Sequence, residues 1–311
     1  HGLLDLVQRI AAKAAIDEKD CQADRPAYEE FQQMASGDHD PPRGLLSDIG
    51  NENAGKCVPS AMDDPTVPAP ADRHRLKILS YNVHSCIGTD GRLDPARVAE
   101  VIAALEPDII GLQELDVGRN RTGGVDQAHI IASLLRMEYH FHAALSVAEE
   151  RYGDAILTAL PARMVKGAGL PSRGEPRGAV WVEIEVGRHR LQVFNTHLGL
   201  RGRDRLGQIA ALLGPSWLGS PACHGKPQVL IGDFNAIPST VTYKGITRQM
   251  IDVQLRPRAK PRPTFPSRYP LLRIDHVFVS REISPVGAEV VSTPLARRAS
   301  DHLPLLATVE L

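Results

Sequence analysis

The chain has 311 residues, with 36 Lys and Arg against 37 Asp and Glu, so its formal net charge is -1. This balance argues against a protein that binds nucleic acid through its overall charge, and an aromatic content of 5% argues against long platforms for stacking single-stranded bases. Hydrophobic residues make up 42% of the chain, which is ordinary for a globular protein. No apolar run approaches the roughly 18–20 residues that a membrane span needs.

The N-terminal part of the chain differs in composition from the rest. The apolar residues of positions 2–19 fall on one helical stripe, which predicts an amphipathic helix. Positions 36–75 are rich in Pro, Gly, Asp and Ser and lack apolar periodicity, as is typical of a linker. We therefore predict a helical extension over residues 1–35, a linker over residues 36–75 and one folded domain over residues 76–311. The chain begins at His1 rather than Met, so the sequence leaves a removed targeting segment open.

The pattern of apolar residues after the linker predicts alternating strands and helices, followed by a cluster of strands. This order favours an α/β fold, a four-layer α/β/β/α sandwich of two packed mixed sheets with outer helices, over a single parallel sheet. The predicted elements are, in chain order, a strand at 76–83, a helix at 96–106, a strand at 108–115, a helix near 126–135, strands near 153–160, 177–186 and 189–197, a helix at 203–213, and strands at 227–234, 273–280, 288–292 and 304–311.

Polar side chains occur repeatedly where the predicted buried strands end. A carboxylate beside a core strand is costly unless it is paired or binds a metal. Taken singly, each of these residues also suits a turn or a structural hydrogen bond. Strand ends on one side of a layered fold converge, so together they indicate one shared pocket. The residues are Asn82, Gln113, Glu114, Asn195, His197, Asp233, Asn235, Asp275, His276, Asp301 and His302.

The residue types in this set favour a particular chemistry. Oxygen ligands from Glu, Asp and Asn suit Mg²⁺, Mn²⁺ or Ca²⁺. The chain has no HExxH helix or Cys/His quartet for zinc, no GxxxxGK[ST] loop and no GxSxG nucleophile elbow. Hydrolysis of a phosphate ester needs charge neutralisation on the phosphoryl oxygens, an activated water and help for the leaving oxygen. The set supplies groups for all three.

Six short motifs appear in the order found in the endonuclease/exonuclease/phosphatase superfamily, which the chain resembles over about residues 76–311. As an ordered set, these motifs are highly specific. Parts of the sequence further resemble a bacterial subgroup of metal-dependent hydrolases. The motifs are SYNVH (80–84), LQE (112–114), NTHLG (195–199), IGDFNA (231–236), RIDHVFVS (273–280) and SDHLPL (300–305).

The resemblance implies a metal site and a site for the attacking water. Glu114 would be the main metal carboxylate, with Asn82 and Asp301 beside it. The implied metal is Mg²⁺, with Mn²⁺ as an alternative. Asp233 would orient or deprotonate the attacking water, and Asn235 would bind a phosphate oxygen.

The resemblance also implies roles for two histidines. His302 would contact the phosphate, and Asp275 would hold its ring, because an Asp–His pair fixes the tautomer and raises the basicity of the imidazole. His197 would lie opposite, near the leaving group.

Several further residues are candidates for binding the substrate anion. We include Asn195 at the end of a predicted strand and the arginines Arg121, Arg177 and Arg201, since guanidinium groups grip phosphate oxygens. Arg203 is a further candidate. For each arginine, a solvated or ion-paired surface role stays open.

Two other residues near the motifs have open roles. His84 follows Asn82 by two positions and should share its strand face, so we predict that it forms part of the pocket wall. Asp154 would either pair with His197 or serve as a structural acid.

The sequence thus predicts a Mg²⁺-dependent phosphoesterase that hydrolyses a phosphodiester or phosphomonoester of a small or lipid-derived molecule. The alternative is a DNA or RNA nuclease of the same superfamily, which should carry a basic rim, and RPRAKPR at 256–262 is the best local candidate for one. A non-catalytic binding module would need lost ligands, and none of the core set is lost. We expect a cytoplasmic protein or one peripheral to the inner face of a membrane.

Overall fold

The computed structural model describes residues 74–255 and 260–311. The predicted helical extension, nearly all of the predicted linker and four residues of the RPRAKPR segment lie outside the described residues. Within the described residues, no helix is long and apolar enough to cross a membrane.

The described chain is dominated by strands, which form two sheets. The strands are β1 (Arg75–Asn82), β2 (Ile109–Val117), β3 (Glu138–Val147), β4 (Glu150–Thr158), β5 (Ala162–Leu170), β6 (Arg177–Val186), β7 (His189–His197), β8 (Gln228–Asp233), β9 (Ile251–Asp252), β10 (Asp275–Val279), β11 (Ser284–Val290) and β12 (Leu305–Glu310). One sheet has the order β11-β12-β1-β2-β4-β3 and the other the order β5-β6-β7-β8-β10-β9. Both sheets are mixed, because β1 runs parallel to β2 and β7 runs parallel to β8, whereas the other neighbours are antiparallel.

Helices cover the outer faces of both sheets. They are α1 (Pro95–Ala103), α2 (Gln127–Leu135), α3 (Gly202–Leu213), α4 (Val241–Thr247) and α5 (Pro294–Ala299). Local sequence fixes where the first two begin. Asp94 caps α1 by accepting a hydrogen bond from the backbone N–H of Arg97 (2.9 Å), and Asp126 caps α2 in the same way from His129 (2.9 Å).

The apolar core consists of two clusters, one between the sheets and one on the outer face of the second sheet. Between the sheets, Leu112 of β2, Val193 of β7 and Ile231 of β8 are fully buried. On the outer face of the second sheet, Phe194 packs in a cluster with Ile209 of α3. Neighbouring residues of β7 thus face opposite layers, as the two-residue repeat of a strand requires. The predicted four-layer sandwich is confirmed.

The sheet registers bring the motif-bearing strand ends to one edge of the sandwich. Asn82 at the end of β1 pairs with Gln113 of β2, and Asp233 at the end of β8 lies between His197 of β7 and Asp275 of β10. In β2 the register shifts between Leu112 and Leu115, which is a β-bulge. Inside the bulge Glu114 has φ +62°, and this left-handed backbone turns its side chain toward the same edge.

Candidate active site

A cavity of about 500 Å³ opens at this edge of the sandwich. Most of the predicted site residues line it, and apolar side chains, among them Phe265 and Ile274, form part of its wall. Asn82 and Asp275 lie behind the lining and bond to it. The predicted site residues that line the cavity are Glu114, Arg121, Arg177, His197, Asp233, Asn235, Asp301 and His302.

At one end of the cavity, two carboxylates flank an imidazole. Nδ1 of His84 lies 3.6 Å from an oxygen of Glu114 and 3.6 Å from an oxygen of Asp301. Burial opposes ionisation of Glu114, but hydrogen bonds from His84 and from the amide of Asn82 outweigh it and hold the pKa of Glu114 well below its usual range. This end of the cavity therefore presents ionised oxygens to any cation that enters.

Asn82 is placed as a donor to the carboxylates. Its Nδ2 donates to Glu114 (3.0 Å) and to Asp233 (3.0 Å), and its Oδ1 accepts the backbone N–H of His84 (3.0 Å). For Asn82 to be a metal ligand through its oxygen, as predicted, its amide would have to flip so that Oδ1 replaces Nδ2 on the side of the carboxylates. As placed, Asn82 holds Glu114 and Asp233 in a fixed relation to each other.

Two carboxylates and one histidine form a buried cluster at the wall of the cavity. The ligand atoms of Asp233, Asp275 and His302 lie within 4.8 Å of one another. Nδ1 of His302 is 2.9 Å from Asp275, and its Nε2 is 3.7 Å from Asp233. Thr264 donates its hydroxyl to the same carboxylate of Asp275 and so fixes the pair from behind.

Burial and the neighbouring charges shift the pKa values of both His302 and Asp233 in this cluster. Burial alone would lower the pKa of His302, but the carboxylates of Asp275 and Asp233 outweigh it and raise that pKa to about 10. Burial and the neighbouring Asp275 raise the pKa of Asp233 to about 7. Each nitrogen of His302 faces a carboxylate, so the charges of this cluster are paired internally.

His197 stands between two hydrogen-bond donors. Its Nδ1 is 3.0 Å from Nη1 of the buried Arg177, and its Nε2 is 3.0 Å from Nδ2 of Asn235, which also donates to the carbonyl of Leu198 (2.9 Å). Burial and then the charge of Arg177 lower the pKa of His197 to about 3, so the ring is neutral. A neutral imidazole has one acceptor nitrogen and satisfies only one of the two donors. An anionic oxygen in the cavity would accept the hydrogen bond that the ring cannot.

Of the arginines predicted to bind substrate, some line the cavity and one does not. Arg177 lines the cavity and pairs with Glu175 (2.9 Å), and Arg121 lines it while pairing with the buried Asp116 (2.7 Å). Arg201 is exposed at the start of α3 and does not line the cavity. Arg205 does line it, from the first turns of α3, and donates to the carbonyl of Leu200 (2.6 Å). The sequence analysis missed Arg205, although its place one turn after Arg201 is a usable signal once the helix is known.

Asn195 lies outside the cavity, although we predicted that it binds substrate. It is fully buried between the sheets, where it accepts from Gln113 (2.7 Å) and donates to the carbonyls of Leu112 (2.8 Å) and Ala155 (2.8 Å). These bonds use both N–H groups and the oxygen of its amide, and they tie β7 to the bulged segment of β2. We assign Asn195 a structural role in place of the predicted one.

This role gives a prediction for stability. We expect Asn195→Ala to lower the free energy of unfolding by about 3 kcal/mol, because buried polar partners left without a hydrogen bond cost about 1–3 kcal/mol each. Urea denaturation followed by circular dichroism measures the change, with the exposed Asn120→Ala as the matched control. A loss no larger than that of the control would contradict the structural role.

Asp154 lies opposite the bulge and makes no ion pair with His197 among the described residues. It belongs to β4, between Gly153 and Ala155, which pair with β2 on either side of the bulge. Burial raises the pKa of Asp154 to about 7, with Arg177 acting against it. Of the two roles left open by the sequence, the placement favours the structural acid.

The sequence matches the model of the endonuclease/exonuclease/phosphatase family over residues 79–302, so the chain belongs to this family. Proteins of this family are hydrolases that act on phosphate esters, nucleases among them. Among known proteins, the chain is similar to the uncharacterized protein YbhP of Escherichia coli K12, with 24% identity over 79% of this chain and 100% of the relative.

Solved structures share the same fold at low identity. The mannosyl-6-phosphatase Bt3783 of Bacteroides thetaiotaomicron has a TM-score of 0.62 and 19% identity, and the match covers 75% of this chain and 99% of that one. The human Nocturnin catalytic domain, solved with a bound sulfate anion, has a TM-score of 0.59 and 20% identity, and the match covers 76% of this chain and 96% of that one. At these identities the likeness shows the fold alone.

Proposed function

We propose that the protein is a Mg²⁺-dependent phosphoesterase that hydrolyses a phosphodiester or phosphomonoester of a small or lipid-derived molecule. The observation that carries the proposal is a single cavity lined both by carboxylates and by N–H donors. Glu114 and Asp301 supply the carboxylates, and next to them Arg177 and Asn235 compete for one acceptor, His197. A cation and a phosphate anion therefore fit side by side.

The residues at the acidic end fit a hard divalent cation. Glu114 and Asp301 would hold it through carboxylate oxygens, which are the ligands that Mg²⁺ prefers. Asn82 keeps Glu114 in place by its hydrogen bond (3.0 Å). When bound, Mg²⁺ supplies charge neutralisation for the phosphoryl oxygens.

Side chains of the chain itself would perform the remaining steps. Asn235 and Arg177 bind phosphate oxygens, because the ring of His197 leaves one of these donors without an acceptor. Asp233 takes a proton from the attacking water, and its pKa, raised to about 7, suits a general base near neutral pH. The imidazolium of His302 stabilises the negative charge that develops on the phosphoryl oxygens. His197 lies on the leaving-group side.

Removal of metal tests the proposal most directly. We expect EDTA to abolish hydrolysis and Mg²⁺ or Mn²⁺ to restore it, because the carboxylates alone repel the phosphate. The assay uses a panel of plasmid DNA, abasic DNA, phosphoinositides, cardiolipin, sphingomyelin and aryl phosphates, each measured with and without chelator. Full activity in a rigorously chelated sample would rule out a metal mechanism.

Binding to duplex DNA separates this proposal from the nuclease alternative. The formal net charge of the chain is -1, so we expect it to bind duplex DNA at most weakly and in a salt-sensitive way. Contacts between basic residues and DNA phosphates dominate the affinity of DNA-binding proteins. Fluorescence anisotropy with a labelled duplex, repeated across a salt series, measures it. Tight binding at physiological salt together with nicking of plasmid DNA would make the nuclease the better assignment.

A further inference from the structure

His276 belongs to the RIDHVFVS motif, but its side chain does not face the cavity. Neighbouring residues of a strand point to opposite faces, so Asp275 of β10 reaches His302 on one side whereas His276 lies on the other. There its ring is fully buried, stacks on Phe278 with the ring centroids 5.3 Å apart and meets the edge of Phe234 at 5.7 Å. A residue of the motif that the proposed reaction does not use thus lies in the outer layer.

The ring of His276 contacts the backbone of segment 233–236 at the end of β8. Its Nε2 is 2.8 Å from the carbonyl oxygen of Ala236. A carbonyl oxygen only accepts, so Nε2 carries a proton and donates it. The other nitrogen, Nδ1, lies 3.5 Å from a carboxylate oxygen of Asp252 and makes no hydrogen bond among the described residues. The hydrogen bond to Ala236 therefore ties the ring to this segment.

The carboxylate beside Nδ1 has little capacity left for a further donor. Its Oδ2, the oxygen 3.5 Å from Nδ1 of His276, accepts from the hydroxyl of Tyr243 (2.7 Å) and from Nη1 of Arg273 (2.8 Å). These two donors use both lone pairs of that oxygen. A ring proton is therefore better placed on Nε2, where it meets the carbonyl of Ala236.

Segment 233–236 carries two groups of the proposed reaction. Asn235 has φ +48°, its backbone N–H donates to the carboxylate of Asp233 (2.9 Å), and its side-chain amide donates to the carbonyl of Leu198 (2.9 Å). These bonds fix the segment as far as Asn235, and the bond from His276 fixes the carbonyl that follows. A left-handed backbone at a residue other than glycine persists only where the surroundings impose it. Without the bond to Ala236, this turn is free to relax and to move both side chains.

We propose that His276 is a positioning residue of the active site, whose Nε2–H holds the carbonyl of Ala236 and thereby orients Asn235 and Asp233 toward the phosphate. The inference rests on the proposed function, because those two side chains act in the proposed hydrolysis. His276 lies outside the cavity lining and so touches neither the phosphate nor the cation. Its loss should therefore lower kcat and leave the affinity for Mg²⁺ unchanged, since the proposed carboxylate ligands lie on other segments.

Two substitutions separate the N–H donor from the bulk of the ring. His276→Phe keeps a flat ring but removes the donor, whereas His276→Gln places an amide N–H near the position of Nε2. We expect His276→Phe to lower kcat about 10- to 100-fold and His276→Gln to keep it within about threefold of the wild type, because small misplacements of reacting groups are costly. Isothermal titration should show the same affinity for Mg²⁺ in both variants.

Trp181→Phe is the matched control. It removes a buried aromatic N–H, which bonds to Gln192 (2.9 Å), from the same outer cluster that contains Phe278. The control should lose stability, as followed by urea denaturation, but keep kcat. If His276→Phe does not fold, His276→Asn replaces it, because its amide is too short to reach the carbonyl of Ala236.

Nuclear magnetic resonance tests the hydrogen bond without an activity assay. Long-range ¹H–¹⁵N spectra of the wild type should show a proton on Nε2 of His276. The side-chain amide signal of Asn235 should shift in His276→Phe and return in His276→Gln. A proton found only on Nδ1, or an amide signal of Asn235 that does not respond to His276→Phe, overturns the proposal.

The kinetic outcomes separate the role of His276 from the proposed function. A His276→Phe protein with the kcat of the Trp181→Phe control overturns the positioning role and leaves the phosphoesterase intact. An equal loss in His276→Phe and His276→Gln also overturns it, because the shape of the ring would then matter and not its N–H. If the wild type hydrolyses no member of the substrate panel, the proposed function fails, and the two spectral results alone decide whether His276 positions the segment.

Discussion

Glu114→Gln is expected to lower the rate of hydrolysis by at least about 10²-fold, a loss comparable to that of a residue that stabilises the transition state. The substitution keeps the shape of the side chain but removes the charge that faces the cation site. It also leaves the amide of Asn82 with one carboxylate partner in place of two. We therefore expect weak binding of Mg²⁺ as well as a low kcat.

Isothermal titration with Mg²⁺ and kinetics across a metal series separate the two effects. Glu289→Gln is the matched control, because it makes the same change of charge on the exposed face of the edge strand β11 and should keep both affinity and rate. A near-wild-type rate at saturating Mg²⁺ would mean that the cation is held elsewhere, and the buried cluster around Asp233 would be the next place to look.

The interior strands of the fold were predictable from the sequence, whereas three strands at the sheet edges, β3, β5 and the two-residue β9, were not. β7 and β8 appear as apolar runs because both of their faces are covered, so their predicted ranges of 189–197 and 227–234 lie close to the observed ones. β3 is half-exposed along most of its length, and β5 contains two glycines, so neither shows a clear alternation. The helices α4 and α5, of 7 and 6 residues, are too short to show a helical period.

The candidate site was predictable where it depends on residue type and order, and it was not where it depends on the backbone. The motifs located Asp233, Asn235 and His302 at one edge because each follows or precedes a buried strand. The bulge that turns Glu114 toward the cavity adds one residue to β2, and no local turn signal marks it. His84 lines the cavity as predicted, but the argument that placed it there was wrong for a related reason. The two-residue period of a strand was applied across a point where the strand had already ended.

The pairing of His302 with Asp275 should set the alkaline limit of activity. The carboxylates of Asp275 and Asp233 overcome burial and raise the pKa of His302 to about 10, so its ring is charged at neutral pH and loses that charge as pH rises through the raised value. If the charged ring stabilises the phosphoryl oxygens, kcat/KM should fall on the alkaline side. Asp275→Asn removes the nearer carboxylate, which lies 2.9 Å from Nδ1, and should therefore move the alkaline limb to lower pH.

His302→Ala completes the test, because it should cost at least about 10²-fold in kcat/KM at neutral pH while the affinity for Mg²⁺ changes little. This separation distinguishes His302 from Glu114, whose substitution should damage metal binding itself. The pH profile from 6 to 10, recorded for the wild type, Asp275→Asn and His302→Ala, measures both effects, with His129→Ala as the control. A downward shift of the acidic limb in Asp275→Asn would instead identify His302 as a neutral general base. A His302→Ala protein with the wild-type rate across the profile would remove this histidine from the mechanism and leave proton transfer to Asp233.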